Sequence, residues 1–150
     1  MKLASALSER ANLQRRIAAL GERLNNNAKT QEGEPPAEDP ALLLQELDQN
    51  MVRLEELIRR INLTNSQTVS EGETLTALLA RRDAMEKRLS ILRSFLTEAS
   101  SKIDRYSRTE IKIVSTVDVA ALQKDVDLQS KQLRELDERI QALNWTTELL

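Results

Sequence analysis

Two pairs of acidic residues are the first groups in the sequence that suggest chemistry. Asp83 and Glu86 form one i, i+3 pair, and Glu135 and Glu138 form the other. If their helices form a hairpin that turns near residue 112, the two pairs lie at similar heights. Carboxylates arranged in this way hold Mg²⁺ over a phosphate substrate, as in some all-helical pyrophosphatases. A Mg²⁺-dependent phosphohydrolase is therefore one hypothesis.

Neighbouring arginines favour a structural role for the same acidic pairs. Both pairs lie off the apolar positions of their helices, and arginines three or four residues away neutralise such surface carboxylates. These arginines are Arg81, Arg82, Arg88, Arg134 and Arg139. A ferritin-like di-iron site is disfavoured further, because its Glu-x-x-His pattern needs a histidine. The sequence thus assigns no catalytic, cofactor-binding or metal-binding residue.

A charged cluster follows the third helical segment and is the candidate site for an anion or a partner. It contains Arg105, Tyr106, Arg108, Glu110 and Lys112. Basic residues at the C-terminus of a helix offset the helix dipole, which is a structural role. The same arginines are suited to hold an anion or a partner's carboxylate through bidentate contacts.

The composition limits the chemistry available to the chain. It contains no cysteine and no histidine, which rules out disulfides, thiolate nucleophiles and zinc sites built on these residues. The usual general base near neutral pH is also missing, so the sequence favours a non-enzymatic role without a cofactor. The 22 basic and 24 acidic residues give a net charge of −2. That balance provides no electrostatic basis for binding nucleic acid.

Apolar residues that recur at alternating steps of three and four predict the elements that carry these groups. The segments correspond to helices at about residues 2–26, 40–63, 74–106 and 118–145. A mobile, acidic, proline-containing loop is predicted at 27–39, and all of these elements belong to one helical domain over 1–150. Aspartates provide N-cap signals before two of the helices, at Asp39-Pro40 and at Asp118.

The repeating positions predict an all-α fold of long antiparallel helices. These form a four-helix bundle or a coiled-coil-like assembly. In the second segment the predicted inward positions are Leu44, Leu47, Met51, Leu54, Ile58 and Ile61. Arg82 and Gln129 occupy such positions in the third and fourth segments, where buried polar groups often fix register. Apolar residues beyond one stripe, among them Leu42, Leu43 and Leu57, predict a homo-oligomer that covers them.

One stretch departs from the helical pattern. Polar and apolar residues alternate from Glu110 to Ile113, which predicts a short extended segment near 109–115. One interpretation is a connector whose Ile111, Ile113 and Val114 fill the end of the core. A second interpretation is pairing with residues 68–72 of an antiparallel second chain, and a third is an extended strap that packs over the end of a bundle.

No signal-peptide pattern and no stretch near the roughly 18 apolar residues of a membrane span are present in the sequence. The expectation is a cytoplasmic protein that does not enter a membrane.

The chain resembles a septicolysin-like family of small bacterial proteins. The segments that carry the resemblance are EGEPPAEDP (32–40), TLTALLARRDAM (74–85), RYSRTEIK (105–112), TVDVAALQK (116–124) and RELDERIQALNWTTEL (134–149). The resemblance implies a helical bacterial protein and transfers no catalytic residue. Its label implies a thiol-activated cytolysin, which a chain without cysteine does not fit.

These observations converge on a self-associating helical scaffold or binding module as the predicted function. A Mg²⁺-dependent phosphohydrolase is the alternative, and a cytolysin is a minor one.

Overall fold

The computed structural model describes residues 1–101 and 111–150, and the predicted all-α fold is confirmed there. Four long helices account for most of this part of the chain, and a minimal hairpin joins the second helix to the third. In chain order the elements are α1 (Leu3–Asn26), α2 (Pro40–Gln67), β1 (Val69–Ser70), β2 (Glu73–Thr74), α3 (Leu75–Ser100) and α4 (Val119–Thr146). The predicted helical stretch 102–106 lies outside the described residues.

The chain groups into two compact units. Unit 1 contains Met1–Thr76 together with Gln141–Leu150, and unit 2 contains Ala77–Ile140. One domain over 1–150 stays a prediction.

In unit 1, α1 and α2 pack antiparallel. Ion pairs mark the register along their edges, because Glu9 lies opposite Arg53 at 2.7 Å and Arg16 lies opposite Glu46 at 3.6 Å. The apolar residues that fill the space between the helices are Leu3, Ala6, Leu13, Leu20, Leu43, Leu57 and Ile61. The first segment therefore presents the face that its spacing predicts.

The residues that face inward on α2 are not all those predicted. At every second step of the repeat, the buried residue lies one position earlier in the chain than the predicted one. Leu43, Asn50 and Leu57 are buried, whereas their neighbours Leu44, Met51 and Ile58 are exposed. The residues between them in the repeat, Leu47 and Leu54, are half-buried and fit either pattern. Prediction of Leu44, Met51 and Ile58 as core residues was therefore wrong.

Side chains anchor both ends of the loop between α1 and α2. The Asp39 carboxylate accepts a hydrogen bond from the Ala41 amide at 2.9 Å, and Pro40 occupies the first helical position, which confirms the predicted N-cap. One residue earlier, the Glu38 amide donates to the Asn27 side-chain oxygen at 2.9 Å, and its carboxylate accepts from Arg23 Nε at 3.0 Å. The mobility of residues 27–39 stays a prediction.

Residues near the two ends of the chain pair with each other in unit 1. Lys2 and Glu148 form an antiparallel bridge, in which the Leu3 amide donates to the Thr147 carbonyl and the Leu149 amide donates to the Met1 carbonyl. Lys2 also lies 2.7 Å from the Glu148 carboxylate. The bridge keeps the end of α4 in the same unit as α1.

The extended structure in the described residues lies at a joint other than the predicted one. Val69 pairs with Thr74 and Ser70 with Glu73 across a tight turn. Glu71 and Gly72 both have positive φ, at 52° and 82°, a backbone that glycine adopts at little cost and glutamate does not.

Residues 111–115 form no strand within the described chain. The exposed fractions of Ile111, Ile113 and Val114 are 77%, 64% and 73%, so the prediction that they fill the end of the core was wrong. A short alternation of polar and apolar residues predicts an extended backbone, but it does not show which surface the apolar side chains pack against. Pairing of this segment between chains stays a prediction, and residues 109 and 110 lie outside the described part.

In unit 2, α3 and α4 run antiparallel with their predicted faces together. Leu78, Leu89, Val126, Leu136 and Ile140 are buried. Polar contacts between the helices follow the same register, since Arg82 lies 3.6 Å from Asp137 and Arg93 donates to Ser130 at 3.0 Å. Arg88 also donates to the Gln129 side chain. Asp118 caps α4 as predicted, accepting from the Ala121 amide at 3.1 Å.

None of the helices in residues 1–101 and 111–150 combines the length and the apolar composition that a membrane span requires.

Candidate interaction surface

The charged cluster predicted as an anion or partner site falls almost entirely outside the described residues. Arg105, Tyr106, Arg108 and Glu110 lie within residues 102–110, and Lys112 is exposed. A ligand at this cluster stays a prediction.

The acidic pairs predicted for Mg²⁺ do not form a metal site. Asp83 and Glu86 both lie beside the guanidinium of Arg82, at 3.3 and 3.9 Å, and Glu135 pairs with Lys131 at 3.8 Å. Within the described residues, which include all four predicted carboxylates, no group of three acidic side chains is close enough to share an ion. Surface ion pairs therefore hold Asp83, Glu86 and Glu135, and the phosphohydrolase hypothesis has no three-carboxylate site in this part of the chain.

Unit 1 carries an apolar stripe on the outside of α2 that its own packing leaves exposed. Leu44, Met51 and Ile58 stand seven residues apart, and their exposed fractions are 50%, 46% and 38%. A seven-residue spacing places side chains on one face of a helix. We call these three residues the outer stripe.

Half-buried leucines connect the outer stripe to the interior of unit 1. Leu47 and Leu54 lie between the stripe and the buried face in the helical repeat. The apolar arc of α2 is consequently wider than α1 covers, and a helix with such an arc has room for a second neighbour.

Charged residues border the outer stripe on its other side. Asp48, Glu55 and Arg59 line a shallow groove along α2 with Met51 and Ile58. Asp48 and Arg59 are eleven residues apart, or about 16 Å along a helix. Neither forms an ion pair with another residue of the described chain, in contrast to Arg53 and Arg60 of the same helix, which pair with Glu56.

The sequence contained the signal for this surface, but the prediction assigned it to the core. Two overlapping repeats run along α2, one through Leu44, Met51 and Ile58 and the other through Leu43, Asn50 and Leu57. The second repeat includes Asn50, a polar residue in an otherwise apolar series. Asn50 fits inside because its side-chain amide donates to the Glu46 carbonyl of its own helix at 2.8 Å, which satisfies a buried donor.

Comparison with solved structures shows that the fold occurs in a bacterial protein. The chain is similar to a crystal structure of a functionally unknown conserved protein from Corynebacterium diphtheriae, with 46% sequence identity and a TM-score of 0.93. The match covers 100% of this chain and 99% of the other. No curated protein matches the chain.

A family model overturns the resemblance suggested by the sequence segments. Residues 10–149 match the model described as Family of unknown function (DUF6847), and neither comparison points to a septicolysin-like family. The chain belongs to the Family of unknown function (DUF6847).

Proposed function

We propose that this protein is a self-associating helical scaffold that binds a second copy of itself through the outer stripe of α2. The observation that carries the proposal is the regular exposure of Leu44, Met51 and Ile58 on one helix face. Singly scattered apolar residues are normal on protein surfaces, but a contiguous stripe is typical of an interaction site.

The hydrophobic effect supplies the driving force for this association. Each exposed apolar side chain that is removed from water contributes at roughly 25 cal/mol per Å². Three such residues in heptad spacing, beside Leu47 and Leu54, form the seam that a second helix packs against in a coiled coil. The small net charge of −2 adds little repulsion between two copies.

Location in the cytoplasm is part of the same proposal. Abundant charged residues, 31% of the chain, suit a protein that works in an aqueous compartment. Fractionation of cells that express the tagged chain tests the location, and recovery in the membrane pellet would contradict it.

Substitution of Met51 by Glu tests the proposed association. Because Met51 lies in the middle of the outer stripe, a charge there should return the protein to the 17.0 kDa mass of a single chain. Light scattering coupled to size exclusion measures that mass over a range of concentrations. The parent protein should have at least twice that mass at the highest concentration.

Leu42→Glu provides the matched control. Leu42 is also an exposed leucine of α2, but nine residues before Met51 it projects from the opposite side of the helix. This variant should keep the mass of the parent, and circular dichroism should show the helices intact in both variants. A parent protein that stays at 17.0 kDa, or equal dissociation by both substitutions, would overturn the proposal.

A further inference from the structure

We draw no further inference here: the strongest candidate, the apolar groove that Phe95, Ile113 and Val114 line between the end of α3 and the segment before α4, is an exposed face, and nothing in residues 1–101 and 111–150 shows what covers it.

Discussion

The two antiparallel helix pairs share one apolar spacing but place their polar residues differently. In unit 1, Arg53 lies at the edge of the α1–α2 seam and reaches Glu9 and Glu56 at 2.7 and 2.9 Å. In unit 2, Arg82 occupies a repeating position of the α3–α4 seam and lies 3.6 Å from Asp137. The same side-chain type therefore borders one core and interrupts the other.

The two units also differ in how deeply their side chains are buried. Side chains that are at most 1% exposed are concentrated in unit 1, where the hairpin and the paired chain ends add neighbours to α1 and α2. In unit 2, Leu92, Leu96 and Leu133 occupy repeating positions but are only half-buried. The number of neighbours therefore determines how deeply the repeating positions of a helix are buried.

The largest expected effect is the loss of stability when one leucine in each seam is replaced by alanine. Leu57→Ala in unit 1 should lower the free energy of unfolding by about 3 kcal/mol, because Leu57 is 0% exposed and its removal leaves a cavity. Leu92→Ala in unit 2 should cost about 1 kcal/mol, because its half-buried site lets water or neighbouring side chains fill the space. Urea unfolding followed by circular dichroism measures both.

Leu89→Ala is the control that separates burial from position in the chain. Leu89 belongs to the same helix as Leu92 but is 1% exposed, so its loss should resemble that of Leu57. Equal effects at Leu89 and Leu92 would contradict the dependence on neighbours.

A smaller effect on stability is expected when each of the two arginines is replaced by methionine. Arg53→Met should lower the free energy of unfolding by about 1 kcal/mol, since it breaks contacts with Glu9 and Glu56 at the edge of a well-packed seam. Arg82→Met should leave the stability unchanged or raise it by up to about 1 kcal/mol, because an apolar side chain suits a seam position better than a partly desolvated charge.

The same urea unfolding measurement applies to both arginine variants. A loss at Arg82 as large as that at Arg53 would show that the ion pair with Asp137 holds α3 and α4 together.

The part of this fold that could be predicted from the sequence depends on local signals at particular residues. The three-four spacing and the aspartate caps predicted the four helices, because both signals are local. Asp39 and Asp118 indeed accept hydrogen bonds from the first turns of α2 and α4. The hairpin strands at 69–74 were not predicted, because two residues per strand give no periodicity to detect.

The candidate surface was predictable only in part, for a physical reason that Leu44 illustrates. It belongs to the run Leu42–Leu44, in which Leu43 is buried and both neighbours are exposed. A run of three leucines faces three directions on a helix, so the sequence predicts surplus apolar surface but not which leucine is surplus. That choice depends on contacts with α1, which are distant in sequence.

The smallest expected effect is a pH dependence that originates in unit 1. Hydrogen bonds from Arg23 lower the pKa of Glu38, and hydrogen bonds from Lys2 and then from the N-terminal amine lower the pKa of Glu148. A carboxylate whose pKa is lower in the folded state stabilises the fold above its unfolded pKa, near 4.5, and this contribution disappears as the pH falls through the folded pKa. The free energy of unfolding should therefore decrease from about pH 5 downward.

Glu38→Gln isolates one part of that dependence, because it removes the titrating group and keeps a side chain of similar size. The variant should be less stable than the parent near neutral pH and should lose less stability on acidification. Urea unfolding followed by circular dichroism at each pH measures both quantities. Glu22→Gln, which removes an exposed carboxylate with no ion-pair partner in the described chain, should follow the parent. If Glu38→Gln also follows the parent, the contact between Arg23 and Glu38 contributes nothing to unit 1, and the loop between α1 and α2 depends on Asn27 and the Asp39 cap for its anchorage.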